Sequence, residues 1–461
     1  MLIRDAEVFG SGRMDVRTQG GVITECATGL VRLPGEDEIY AGGGWLLPGL
    51  HDHHIHLRSL AATYESVPLG PPQVRTATEL AARLQEEDRK LLPGRWIRGT
   101  GYHESVAGPL DRAVLDRMLP HRPVRVQHRT GVLWQLNSMA CELVGLDSND
   151  TPSVERDETG RPTGRLRRLD SWLGERIDSR TTDLAAVSAA AATMGITGFT
   201  DATPGLAQTD IDQLAETIET GRMVQRVHCM APPEVLEPSG TRFTLGPTKI
   251  VLDDFDLPPF DEFADRLRAI HAAGRAVAVH CVTRVQFILT MAALDLAGVR
   301  AGDRIEHGAV IPRESLDWLR GQRVTVVTQP HFVVERAEQY RDEVPAEDLP
   351  DLWRLRSLLD AGVGVAAGSD APFGAPDPWS VVRAAVHRPT EFHAAEAVSV
   401  AEALSLFFGA PERPAMPRRI TPGAVADLTL LSVPPDEAAH HLDAEIVAVT
   451  IVAGELVYSG Q

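Results

Sequence analysis

Leu47-Pro48-Gly49-Leu50-His51-Asp52-His53-His54-Ile55-His56-Leu57 is an apolar strand-like run that ends in two histidines spaced i, i+2. Alternation along a strand puts the His54 and His56 imidazoles on one face. Further apolar runs close on a polar residue downstream: Val277-Ala278-Val279-His280, Arg304-Ile305-Glu306-His307 and Val365-Ala366-Ala367-Gly368-Ser369-Asp370. Donors at the ends of four strands describe a cup of convergent ligands, so the pattern points to a metal-dependent hydrolase. The strands themselves read Leu47 to Leu50, Ile196 to Thr200, Val224 to Cys229, Lys249 to Leu252, Ala276 to His280, Arg304 to Glu306, Val324 to Thr328 and Val363 to Ala367. Helical patterns lie between them, at Phe260 to Ala273, Ser315 to Arg320 and Leu352 to Ala361. Alternating strands and helices with eight parallel strands predict an α/β chain built on a (β/α)8 TIM barrel, whose active site sits at the C-terminal strand ends.

The first barrel strand, placed in residues 48–59, is followed by a long delay, so residues 60–183 are expected to form an inserted subdomain, with a turn-rich loop from Asp147 to Gly164 near the pocket mouth. Residues 184–414 carry the rest of the barrel. Alternating runs in residues 1–47 and 415–461 are expected to pair into a composite N- and C-terminal β-sandwich.

The formal net charge of −19 leaves no basic footprint for nucleic acid or anionic membrane. No signal peptide or transmembrane run is visible, and Cys26, Cys141, Cys229 and Cys281 lie far apart with no Cys-x-x-Cys pair. A cytoplasmic protein acting on a small molecule is expected, with surfaces that would allow a homodimer. Only Lys90 and Lys249 among the 45 basic residues are lysine, which singles out the lysine in Thr248-Lys249-Ile250-Val251-Leu252.

Imidazole and carboxylate donors suit zinc or a similar divalent ion. His54, His56 and Asp370 would hold one metal, and His280 and His307 a second. Two ions need a bridging anion, and Lys249 could supply it as an N6-carboxylated lysine, a carbamate with two oxygens. Hydroxide generated at the metal would attack a carbonyl, with Asp370 as general base and then acid toward the leaving nitrogen. His331 is placed to touch substrate, and Tyr102 in the insertion to close over it. Simple alternation turns His51, His53, Cys281 and Glu306 away from the ligands. Asp52 is expected to buttress the strand-one turn or to orient a ligand, while an interior salt bridge or a cap would account for any of His128, Arg165, Asp201 and His228.

This layout resembles the amidohydrolase superfamily: Pro48-Gly49-Leu50-His51-Asp52-His53-His54-Ile55-His56 at strand one, Lys249 at strand four, His280 at five, His307 at six and Asp370 at eight. Trp96-Ile97-Arg98-Gly99-Thr100-Gly101-Tyr102, Pro123-Val124-Arg125-Val126-Gln127-His128 with Asn137-Ser138, Ile305-Glu306-His307-Gly308 and Gly368-Ser369-Asp370-Ala371-Pro372 are similar to the amidohydrolase family 3 branch, which includes N-substituted formamide deformylases. The resemblance implies hydrolysis of a non-peptide C–N bond in an amide, N-formyl or cyclic amide. The chain departs from it at His280-Cys281-Val282-Thr283-Arg284, where many members of that branch continue their histidine with Ala-Ile-Gly-Asp-Arg. It also lacks there the glutamate of cytosine and guanine deaminases. The rival readings are a mononuclear metal-dependent deaminase that leaves Lys249 unmodified, and a non-catalytic scaffold that keeps the fold.

Overall fold

The computed structural model describes residues 1–177, 183–240 and 242–460. The chain divides into two compact units, one formed by Met1–Leu57 with Leu184–Gln461 and the other by Arg58–Asp183.

In the first unit, Leu50–Ile55, Ile196–Asp201, Arg226–Cys229 and Phe243–Leu245 pair in parallel. Thr248–Val251, Val277–Cys281, Arg304–His307, Thr325–Thr328 and Val365–Ala367 form a second parallel series. Gly246-Pro247 separates Phe243–Leu245 from Thr248–Val251. Proline brings no N–H to a ladder, so one strand position is shared by two short segments, one pairing with each side. The last strand meets the first through Asp370 N→His54 O at 2.7 Å and His56 N→Ala371 O at 2.9 Å. The residues that end both strands are thereby locked together.

The first strand differs from the sequence expectation. Trp45–Pro48 belongs to another sheet, and after Gly49 the chain restarts as Leu50–Ile55. A Cβ at Gly49 would lie 2.3 Å from Thr197 Cγ2, so only glycine lets the crossover pass so close. Around the ring, Phe260–Ala272 matches the predicted helix and buries Phe263, Leu267 and Ile270. Each contributes about 1.5–3 kcal/mol relative to exposure. Asp303 ties that helix to the ring by accepting from Val277 N at 2.9 Å and contacting His271 Nε2 at 3.0 Å. The pattern at Leu352 to Ala361 yields only Arg356–Asp360 as α-helix.

The termini pair as one mixed eight-stranded sheet, with Leu2–Val8 and Trp45–Pro48 beside Leu428–Leu431 and Val447–Val452. Its edge strand also meets Val425 through Val22, so the sheet curls around a core containing Ile3, Val16, Leu428 and Ile451. The strands expected as a sandwich are hydrogen-bonded as a single sheet.

The second unit is a six-stranded sheet in the order Val154–Arg156, Pro162–Arg167, Leu133–Leu136, Val124–His128, Ile97–Tyr102, Val67–Pro68. The segment from Asp147 to Gly164, expected as a loop, contains the antiparallel Val154–Arg156 and the start of Pro162–Arg167. Val154 and Leu166 bury there against Trp134, which is what turns the glycine- and proline-rich stretch into a hairpin. Among the described residues no helix is long and apolar enough to cross a membrane.

Candidate metal centre

The strand registers decide what faces the ring interior. Lys249 stands opposite Ala278, and Ala278 opposite Arg304, while His280 stands opposite Glu306. Register partners share a face, so Lys249, His280, Arg304 and Glu306 look the same way. His307 would look outward by alternation, but its φ of 70° turns the chain at the strand end. Asp370 has the same left-handed backbone, φ 53°. For residues other than glycine this conformation costs on the order of 1–3 kcal/mol and concentrates at functional sites.

The six residues singled out as ligands converge. Asp370 Oδ1 lies 3.2 Å from His56 Nε2 and 3.4 Å from His54 Nε2, and Asp370 Oδ2 lies 4.0 Å from His307 Nδ1. Lys249 Nζ is 3.3 Å from His54 Nε2. The His280 and His307 rings stand 4.4 Å apart, edge to face. Ligand atoms of His54, His307 and Asp370 all fall within 4.8 Å of one another, close enough to share one ion. Burial holds the His54 and His307 imidazoles neutral by pushing their pKa values well below the ordinary range. Neutral imidazole is the ligating form.

Sequence reasoning turned Glu306 outward, and the structure corrects this. Glu306 is fully buried and its Oε2 accepts from His54 Nδ1. Arg304 Nε donates to Glu306 Oε1, and Arg304 Nη2 donates to Glu306 Oε2 at 3.2 Å and to the His53 carbonyl at 2.6 Å. A carboxylate on Nδ1 fixes the His54 tautomer and leaves the Nε2 lone pair aimed at Lys249 and Asp370. The error came from counting alternation back from His307, whose positive φ breaks it. Arg304 and Glu306, spaced i, i+2, were the available signal. Gln329 was also missed: its Oε1 lies 2.8 Å from His307 Nδ1.

His51 likewise contacts a neighbouring ring strand, with the His53 ring beside it. His51 Nε2 lies 2.9 Å from Thr200 Oγ1, and the His53 ring lies 4.6 Å from the His51 ring. Register shifts on both sides of Gly198 and Phe199 reset the alternation of the first strand. Asp52 does buttress: its Oδ1 accepts from Ser369 N at 3.0 Å and His54 N at 3.1 Å, joining the first and last strands. Cys281 is buried, with Sγ 3.4 Å from Thr290 Oγ1.

Both residues expected to touch substrate are buried. Tyr102 sits in the hydrophobic core of the second unit, and its hydroxyl donates to Gly108 O at 2.6 Å. His331 is 1% exposed, and a Cβ at Gly374 would lie 2.4 Å from its Nε2. It therefore supports the turn after Asp370.

His103, Glu104 and His128 form a second cluster of metal-ligating types, within the insertion. Each ring's Nδ1 accepts a backbone N–H two residues on, from Ser105 and Thr130, both at 3.2 Å. The neutral rings therefore carry their proton on Nε2, and that of His128 meets Glu104 Oε2 at 2.9 Å. His128 and Glu104 are thus already paired with each other, within a hydrogen-bonded network that includes Ser105 and Thr130. Arg165, Asp201 and His228 have comparable partners in Glu155, Thr203 N and Thr244.

A sequence profile described as the amidohydrolase family matches residues 37–458. The N-substituted formamide deformylase of Arthrobacter pascens is 25% identical, covering 88% of this chain and 86% of that protein. An uncharacterized metal-dependent hydrolase from Pyrococcus furiosus superposes with a TM-score of 0.74 at 20% identity, covering 94% of this chain and 99% of its own. Atrazine chlorohydrolase TrzN from Arthrobacter aurescens TC1, solved with zinc, gives a TM-score of 0.60 at 14% identity, covering 99% and 95%.

Proposed function

Since the chain belongs to the amidohydrolase family, we propose that it hydrolyses a non-peptide C–N bond, in an amide, N-formyl or cyclic amide, at a divalent metal centre. The observation that carries this reading is the convergence of Asp370 on His54, His56 and His307, with Lys249 beside His54. His54, His56, His280, His307 and Asp370 are the ligands for one or two ions. Zinc matches these donors and is the ion solved with TrzN. An ion bound there supplies Lewis acidity and water that ionises near neutral pH.

The remaining chemistry belongs to the chain. Glu306 and Gln329 orient two imidazoles through their Nδ1 atoms. Burial draws the Lys249 pKa down to about 8, opposed by Glu306 and Asp370. About one amine in ten is then unprotonated at pH 7, and the free amine is the form that adds carbon dioxide to become a carbamate. The Asp370 carboxylate takes a proton from water and passes it to the departing nitrogen, because a C–N bond breaks readily only when nitrogen leaves protonated. The ring is read as a (β/α)8 barrel whose fourth strand is split at Gly246-Pro247, with the Arg58–Asp183 unit inserted after its first strand.

The test is a screen of N-formyl compounds, amides and cyclic amides with metal-loaded protein, followed by the Asp370→Ala variant. Turnover should fall by about 10²–10⁴ or more when the proton carrier is removed, while much of the metal stays. An Asp370→Ala protein with parental turnover would refute the assignment, and ammonia released from an amidine-like ring would move the chain to the deaminases.

A further inference from the structure

In the insertion, Arg98 and Arg125 are register partners on the adjacent parallel strands Ile97–Tyr102 and Val124–His128. Like charges placed directly opposite on neighbouring strands repel. Both side chains are partly buried, and each has an Nε that is buried with no hydrogen-bond partner among the described residues. Neither forms an ion pair among the described residues, although this chain pairs most of its buried arginines, as Arg17 with Glu36 and Arg122 with Asp88.

The two guanidinium carbons lie 5.6 and 5.3 Å from the centroid of one ring, that of Trp134. That indole is fixed by Nε1–H donating to Asp170 Oδ1 at 2.7 Å. Asp170 also attracts both arginines without reaching either, and the exposed Glu65 acts on Arg98 alone. Burial lowers both guanidinium pKa values to about 10, which leaves both groups charged at neutral pH. Two fixed positive charges thus share one carboxylate that is already accepting from tryptophan. Stacking on an aromatic face returns about 0.5–2 kcal/mol per cation and leaves each Nε–H without a partner among the described residues.

We propose that Arg98 and Arg125, held side by side against Trp134, form a binding site for a small carboxylate. A carboxylate is planar and matches the guanidinium fork edge-on while the guanidinium face stays on the indole. The site lies wholly within the Arg58–Asp183 unit and is independent of the metal-centre reading.

The experiment uses the full-length protein and acetate as probe. Thermal unfolding and tryptophan emission are followed during an acetate titration, with chloride at equal ionic strength as control and inorganic phosphate as a second oxoanion. Saturation-transfer NMR of the acetate methyl signal reports binding to the parent chain directly. The expected result is a saturable rise in Tm with acetate that chloride does not give, and at least a tenfold weaker acetate response in Arg98→Met and Arg125→Met. Arg125→Lys, which keeps the charge and loses the fork, guards against variants that fail to fold and should also bind at least tenfold more weakly. Equal responses to acetate and chloride, phosphate binding without acetate binding, or no saturation transfer on the parent chain would each overturn the proposal.

Discussion

Replacing Arg304 with methionine removes every donor that Glu306 has among the described residues besides His54. Glu306 is 0% exposed and Arg304 2% exposed, so water cannot take the place of the guanidinium without opening the ring. Two hydrogen bonds to the carboxylate and one to the His53 carbonyl are lost together. Breaking a buried ion pair by deleting one member costs about 3–5 kcal/mol, because the surviving charge is stranded. Deleting both members is different. An Arg304→Met, Glu306→Leu double variant leaves no stranded charge and should be less destabilised than Arg304→Met alone, a coupling of about 1–3 kcal/mol in a double-mutant cycle. The assay is denaturant unfolding of chelator-treated parent, both single variants and the double variant, so that metal binding does not enter. Titration of divalent metal into the refolded proteins then reads the second effect. Glu306→Leu deprives His54 of its Nδ1 acceptor, and loss of such a partner lowers metal affinity about 10–100-fold. An Arg304→Met protein within 1 kcal/mol of the parent, or a double variant destabilised by the sum of the single effects, would refute the account of this pair.

Gly368→Ala should displace His54, since the new Cβ would lie 2.4 Å from His54 N and 2.7 Å from His54 Cβ. A loss of about 1–3 kcal/mol in stability is expected from such overpacking, with weaker metal retention on dialysis; unchanged values for both would contradict the packing. His228, 3% exposed, has a pKa drawn down to about 3, chiefly by burial. The unfolded chain takes up that proton near pH 6.5 and the folded chain does not, so stability from this group is complete above about pH 6.5 and declines as pH falls toward 3, by about 2 kcal/mol at pH 5. His228→Asn should flatten the acid limb of a Tm-versus-pH curve, and an unaltered limb would show that His228 is not its source.

Much of the candidate site was legible because the residues that converge there close short strand-like runs: His280 after Val277-Ala278-Val279, His307 after Arg304-Ile305-Glu306, and Asp370 beyond Val365-Ala366-Ala367. Residues behind the ligands were not, because their visibility depends on where alternation fails. The φ of 70° at His307 reverses the face assigned to Glu306, and the register shifts beside Gly198 reverse that of His51 and His53. Likewise, Leu47 to Leu50 reads as one apolar run, yet Gly49 divides it between two sheets. Tyr102 was expected to close over the substrate from its place in the insertion. Its burial among Leu80, Val106 and Val124 follows from helices whose docking no local pattern announces. Phe260 to Ala273 could be read directly because its 3.6-residue period and the following Gly274 are both local signals.

The central claim, a metal centre in which Lys249 takes part as a carbamate, is tested most directly by metal content per chain in freshly purified protein, with Lys249→Ala prepared alongside. Two ions per chain in the parent, falling to one or fewer in the variant and restored by added short-chain carboxylate, is the predicted result. One ion per chain in both proteins would contradict the bridging role and leave a mononuclear site, and no ion in either after growth with added metal would contradict the metal centre itself.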